Sequence, residues 1–89
     1  MTFFAHLYFS GRVQGVGFRY QTFRTAQAYE VAGYVRNLPD GRVELEIEGE
    51  SLEIDAFVGA IKKRMDGFIR KTEETRGQRE SVMRGFEIR

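Results

Sequence analysis

The run Gly11-Arg12-Val13-Gln14-Gly15-Val16-Gly17-Phe18-Arg19 holds the residue types and spacing most suited to chemistry in this chain. Three glycines in seven positions let a backbone curl and come close to a ligand, because positive φ costs glycine little. Arg19 then supplies a permanent positive charge on a planar fork of donors, shaped for phosphate or carboxylate oxygens. Backbone N–H groups at a helix start, with an arginine at the junction, describe an anion site. Better-known phosphate loops do not fit. No Gly-Lys-Ser/Thr follows, and Gly15-Val16-Gly17 lacks the third glycine of a dinucleotide turn.

A second run, Gly33-Tyr34-Val35-Arg36-Asn37, adds one amide side chain that can both donate and accept. Read alone, Asn37 is as well explained as a turn residue ahead of Leu38-Pro39-Asp40-Gly41. Arg12 and Arg36 read as solvated groups adding a weak positive field. His6 is the only histidine and reads as a strand residue beside Phe4 and Tyr8, with no metal site around it. Glu44, Glu46 and Glu48 alternate, as expected of a solvated sheet face.

The elements that must position these groups follow from periodicity. Residues 3–9 alternate, with Phe3, Ala5, Leu7 and Phe9 on one side and Phe4, His6 and Tyr8 on the other, a strand. Residues 19–31, carrying Tyr20, Phe23, Ala26 and Ala28 without Gly or Pro, suit an amphipathic helix. Residues 33–38 and 42–48 form a hairpin around Pro39-Asp40-Gly41, whose residues each favour a turn. Ser51 is a good helix N-cap. Ile54, Phe57, Val58, Ile61 and Met65 then make one apolar stripe. Phe68–Thr75 reads as a charged edge strand, Gly77–Glu80 as a polar turn, and residues 86–88 as a short last strand. The order β-α-β-β-α-β defines an α+β fold, the ferredoxin-like split β-α-β sandwich. Two helices are expected on one face of an antiparallel sheet.

Size and charge bound the function. Eighty-nine residues allow one domain, 1–89. A net charge of +1 argues against nucleic acid as the main partner. The absence of cysteine removes disulfides, thiolate chemistry and cysteine-ligated metal. The apolar start lacks the basic residues and cleavage site of a leader and is too short to span a bilayer. The expectation is a cytoplasmic monomer with no membrane contact.

Taken together, the two runs resemble the acylphosphatase family. Gly11–Arg19 is similar to that family's substrate loop, worded Gly-Arg-Val-Gln-Gly-Val-x-Phe-Arg. Gly33 to Gly49 is similar to its second signature, Gly-aromatic-Val-basic-Asn, three residues, Gly-x-Val and a later Gly. The resemblance implies hydrolysis of a carboxyl–phosphate mixed anhydride to carboxylate and inorganic phosphate, without metal or cofactor. It assigns the phosphate to Arg19 and the backbone N–H groups of Gln14, Gly15, Val16, Gly17 and Phe18, and the attacking water to Asn37. Departures lie elsewhere. Glu30 stands where the family commonly has Gly, Gly67-Phe68 lacks the usual proline, and residues 69–83 show no family wording.

Two other readings share this element order. One is a phosphate- or carbamoyl-phosphate-binding module that acts with a partner protein and does not turn over. The other is an RNA-binding domain, hinted at by Arg84-Gly85-Phe86. Glu87 breaks that pattern, and the run falls on the last strand.

Overall fold

The computed structural model describes all residues 1–89. Strand β1 (Thr2–Gly11) leads through the glycine loop into helix α1 (Phe18–Ala26). The hairpin β2 (Val31–Asn37) and β3 (Val43–Gly49), helix α2 (Ser51–Arg64), strand β4 (Ile69–Arg79) and strand β5 (Phe86–Ile88) follow. The sheet order is β4-β1-β3-β2-β5. Alternation decides the faces. Ala5, Leu7 and Phe9 of β1, Val35 of β2 and Val43, Leu45 and Ile47 of β3 are all fully buried in one core with both helices.

The sheet is mixed, not antiparallel throughout. β2 and β5 run parallel, with Gly33 beside Phe86 and Val35 beside Ile88. The physical reason is local. β4 ends at Arg79 opposite Thr2, the end of the sheet where β2 begins, so a short link returning from there must run in β2's direction.

Four local expectations also change. Helix α1 ends at Ala26, and its inward stripe is Phe18, Thr22, Thr25 and Ala26, while Tyr20 is exposed. The threonines are tolerated inside because their hydroxyls donate to Phe18 O (2.9 Å) and Gln21 O (2.7 Å). Ser51 is the first helical residue of α2; Glu50 holds the cap position, with no side-chain cap bond. Gly77 is a strand residue, placed where a Cβ would come within 2.9 Å of the Phe4 ring. The acidic face is not solvated: Glu44 and Glu48 are only 5% and 3% exposed.

The α2 stripe Ile54, Phe57, Val58, Ile61 and Met65 is buried as its spacing implies. The turn forms as expected. Leu38 N–H donates to Arg42 O (2.8 Å), and Asp40 Oδ1 accepts from Arg42 N–H (3.0 Å). β4 is an edge strand, and its charge discourages further pairing.

Candidate active site

The glycine loop turns through two left-handed residues, Gly15 (φ 78°) and Gly17 (φ 79°). An added Cβ would meet nothing at either position, so glycine is needed there for its backbone angles and not for space. The apolar residues between and beside them pack inward. Val13 and Phe18 are buried, Phe18 packs on Phe9 with centroids 5.1 Å apart, and Val16 leans on the core. The loop is thereby pinned by its side chains, with its amides left free. Between Arg12 N–H, which donates to Phe68 O, and Gln21 N–H, which donates to Gly17 O, residues 13–17 donate no N–H to a backbone carbonyl.

Those free amides run directly into the N-terminus of α1. Its first-turn N–H groups lack intrahelical partners, and no acidic side chain sits in that turn. Arg19 is the second helical residue. Unlike Arg36, Arg42, Arg76, Arg79 and Arg89, it has no carboxylate within salt-bridge distance.

Asn37 closes β2 on the inward side, two residues after buried Val35. Strand alternation sends its neighbour Arg36 to the opposite face, where it pairs with Glu44. The Asn37 Oδ1 is buried and has no hydrogen-bond partner. An orphan acceptor costs about 1–3 kcal/mol unless a donor meets it.

Gly15, Gly17, Phe18, Arg19 and Asn37 line one cleft of about 240 Å³, completed by Val13, Tyr20 and Ile88. That is smaller than the roughly 300–1,000 Å³ of pockets for drug-sized ligands, and it suits a small anion. Gln14 and Val16 are not among the lining residues. Gln14 instead turns its side chain to the hairpin, where Nε2 donates to Leu38 O (2.8 Å) and Arg42 O (3.0 Å). This tie between the loop and the residue after Asn37 was invisible in the sequence, because no short-range pattern links positions so far apart. Tyr20 and Ile88 were missed for the same kind of reason, since each reads as an ordinary core residue of its element.

The opposite sheet face holds the other charged cluster. His6 Nε2 lies 2.7 Å from Glu44 Oε2 and 3.9 Å from Glu46 Oε1, and the three side chains gather within 4.8 Å, close enough to hold a metal ion. Their charge is already met: Arg36 pairs with Glu44, and Arg79 bonds Glu46 (2.8 Å) and Glu48 (3.0 Å). Burial opposes ionisation of Glu44, but hydrogen bonds from His6 and Arg36 outweigh it and hold the carboxyl below its ordinary range. Burial likewise opposes ionisation of Glu48. There the N–H groups of Val82 and Met83, the Ser81 hydroxyl and Arg79 prevail, and its pKa is lowered. Tyr34 is pushed up to about 12 by burial and by the charges of Glu46 and Glu44.

The fold and the cleft define a small α/β domain in which a loop–helix junction with free amides meets a strand-borne amide. The family model described as acylphosphatase matches residues 5–88. The chain belongs to the acylphosphatase family. It is similar to the acylphosphatase of Rubrobacter xylanophilus, 44% identical over 88 residues, 93% of this chain and 76% of that one. The acylphosphatase of Archaeoglobus fulgidus is 55% identical over 56 residues, so the match spans just under two thirds of that relative's length, 63%. The fold of the present chain is similar to the crystal structure of acylphosphatase from Bacillus subtilis, with TM-score 0.86, 32% identity and 97% of each chain covered.

Proposed function

We propose that the protein hydrolyses acyl phosphates, with Arg19 and the backbone amides of Gln14–Phe18 holding the phosphoryl group and Asn37 positioning the water. The observation that carries this reading is the set of unpartnered groups gathered around one cleft: a guanidinium without a carboxylate, loop amides without acceptors, and the lining residue Asn37, whose buried Oδ1 has no donor. Phosphoryl oxygens answer the first two, and a water hydrogen answers the third.

The chemistry needs little more. An acyl phosphate already carries a stable leaving group, so the barrier lies in positioning and in charge on the phosphoryl oxygens. Water oxygen bonds to phosphorus as the bond from phosphorus to the acyl oxygen breaks, and the electron pair leaves on the carboxylate. Asn37 Oδ1 accepts one hydrogen of that water and aims its lone pair. An amide does not take up the proton under these conditions, so the proton passes to a phosphate oxygen and leaves with inorganic phosphate. Arg19 and the loop amides face the oxygens on which charge concentrates.

The proposal has the protein act without metal or cofactor, as a cytoplasmic monomer. The test is hydrolysis of benzoyl phosphate in the presence of a chelator, with size-exclusion chromatography on the same sample. Turnover that disappears in Arg19→Ala supports the reading. Wild-type protein that binds phosphate yet never turns over would overturn it in favour of a binding module.

A further inference from the structure

The cleft has a polar side, assigned above to the phosphoryl group, and an apolar side that the proposed chemistry leaves unused. The apolar side is built where α1 meets β5. Phe23 of α1 packs on Phe86 of β5 with centroids 6.5 Å apart, and Phe86 meets Phe57 of α2 at 5.9 Å, which closes that seam against the core. Tyr20 lies three residues before Phe23 on α1, and Ile88 lies two residues after Phe86 on β5. Both line the cleft, and both stay open to solvent, 54% and 42% exposed. The core seam thus runs out to the rim of the anion site as two exposed apolar side chains.

The Tyr20 side chain and the backbone of Ile88 are both held in place. Arg24 donates from Nη1 to the Tyr20 hydroxyl (3.1 Å), with its guanidinium 5.8 Å from the ring centroid. The backbone at Ile88 is fixed by the pairing of β5 with β2, bounded by the bonds Gly33 N–H to Gly85 O (2.8 Å) and Arg89 N–H to Val35 O (2.9 Å). In an acyl phosphate the acyl carbon is one oxygen removed from phosphorus, so the acyl group must lie against the wall of the same cleft. Val13 and Phe18, the other apolar lining residues, are buried at 0% and 2% exposure. The exposed apolar surface left to an acyl group is therefore that of Tyr20 and Ile88.

We propose that Tyr20 and Ile88 form a shelf that binds the acyl half of the substrate and favours aromatic or branched apolar acyl phosphates over acetyl phosphate. The inference rests on the phosphoryl group sitting at Arg19, as proposed above. Covering the two side chains with a phenyl or branched alkyl group removes apolar surface from water, and a methyl group covers much less of it.

The experiment compares kcat/KM for benzoyl phosphate and acetyl phosphate in wild type, Tyr20→Ala, Ile88→Ser, Tyr20→Phe and Arg19→Ala. The benzoyl-to-acetyl ratio is expected to fall roughly five- to tenfold in Tyr20→Ala and Ile88→Ser, through KM for benzoyl phosphate. Tyr20→Phe is expected to keep the wild-type ratio, because the ring and not the hydroxyl forms the shelf. An unchanged ratio in Tyr20→Ala and Ile88→Ser, with Arg19→Ala inactive on both substrates, overturns the shelf and leaves the phosphate reading standing. Full activity in Arg19→Ala overturns the phosphate reading itself.

Discussion

The two faces of the sheet treat charge in opposite ways. On the open face each charged group is answered: Glu44 by His6 and Arg36, Glu46 by Arg79 and the Tyr34 hydroxyl, Glu48 by Arg79, Ser81 and two backbone amides. In the cleft, Arg19, the loop amides and Asn37 Oδ1 are left unanswered. Paired charges lower the energy of the fold alone, and they resist a ligand that would have to displace a partner. Unpaired ones cost stability and reserve their interactions for a ligand. By that criterion the richest cluster of titratable side chains, around His6, is structural, and the sparser cleft is the candidate site.

The sharpest way to break this contrast is to remove one group from each region. Arg19→Ala should lower kcat/KM for acyl phosphates by roughly 10³-fold or more, with thermal stability nearly unchanged, because the guanidinium holds no partner in the fold. Asn37→Ala should lower kcat by roughly 10²–10³-fold, with a smaller change in KM. A large drop in Tm with activity retained in Arg19→Ala would reverse the assignment of the two regions.

Glu48→Ala should show the opposite profile, losing about 2 kcal/mol of stability, or roughly 10 °C in Tm, with kcat/KM changed little. Glu48 gathers residues 81–83 and so anchors the link that returns β5 to β2. The pH dependence carries the same signature. Glu44 and Glu48 have folded pKa values below the ordinary one, so their contribution is complete above about pH 4.3 and is lost as pH falls through the lowered values. Chemical unfolding from pH 6 down to pH 2 should steepen in that range, and Glu48→Gln should flatten it.

Smaller effects probe the join and the background. Gln14→Ala removes two hydrogen bonds between loop and hairpin, each worth about 0.5–1.5 kcal/mol. It should reduce kcat/KM by roughly tenfold while Tm moves by only a few degrees. Gly59→Ala lies in the middle of α2, with nothing within 4 Å of the new Cβ. It should raise stability by about 0.5–1 kcal/mol and leave kinetics untouched.

Much of the fold was legible because it follows from local rules. Alternation in residues 3–9 and 43–48, the Pro39-Asp40-Gly41 turn and the α2 stripe each map onto an observed element. Legibility failed where two elements share a decision. Tyr20 reads as a core residue until the axis of α1 is known, and Thr22 reads as polar until its hydroxyl finds the Phe18 carbonyl. Gly77 reads as a turn until Phe4 occupies its face. Alternating glutamates read as solvated until arginines from β2 and β4 cover them.

The residues of the candidate site were present in the sequence as types and spacing: a glycine-rich loop, an arginine at the helix start, and an asparagine in the next strand. Local propensity and alternation suffice for that, since they act over a few positions. Only the tertiary structure decided which side chains remain without partners, how Gln14 ties the loop to the hairpin, and that Tyr20 and Ile88 open onto the cleft. Those facts depend on contacts between residues far apart in the chain, and packing, not sequence spacing, brings them together.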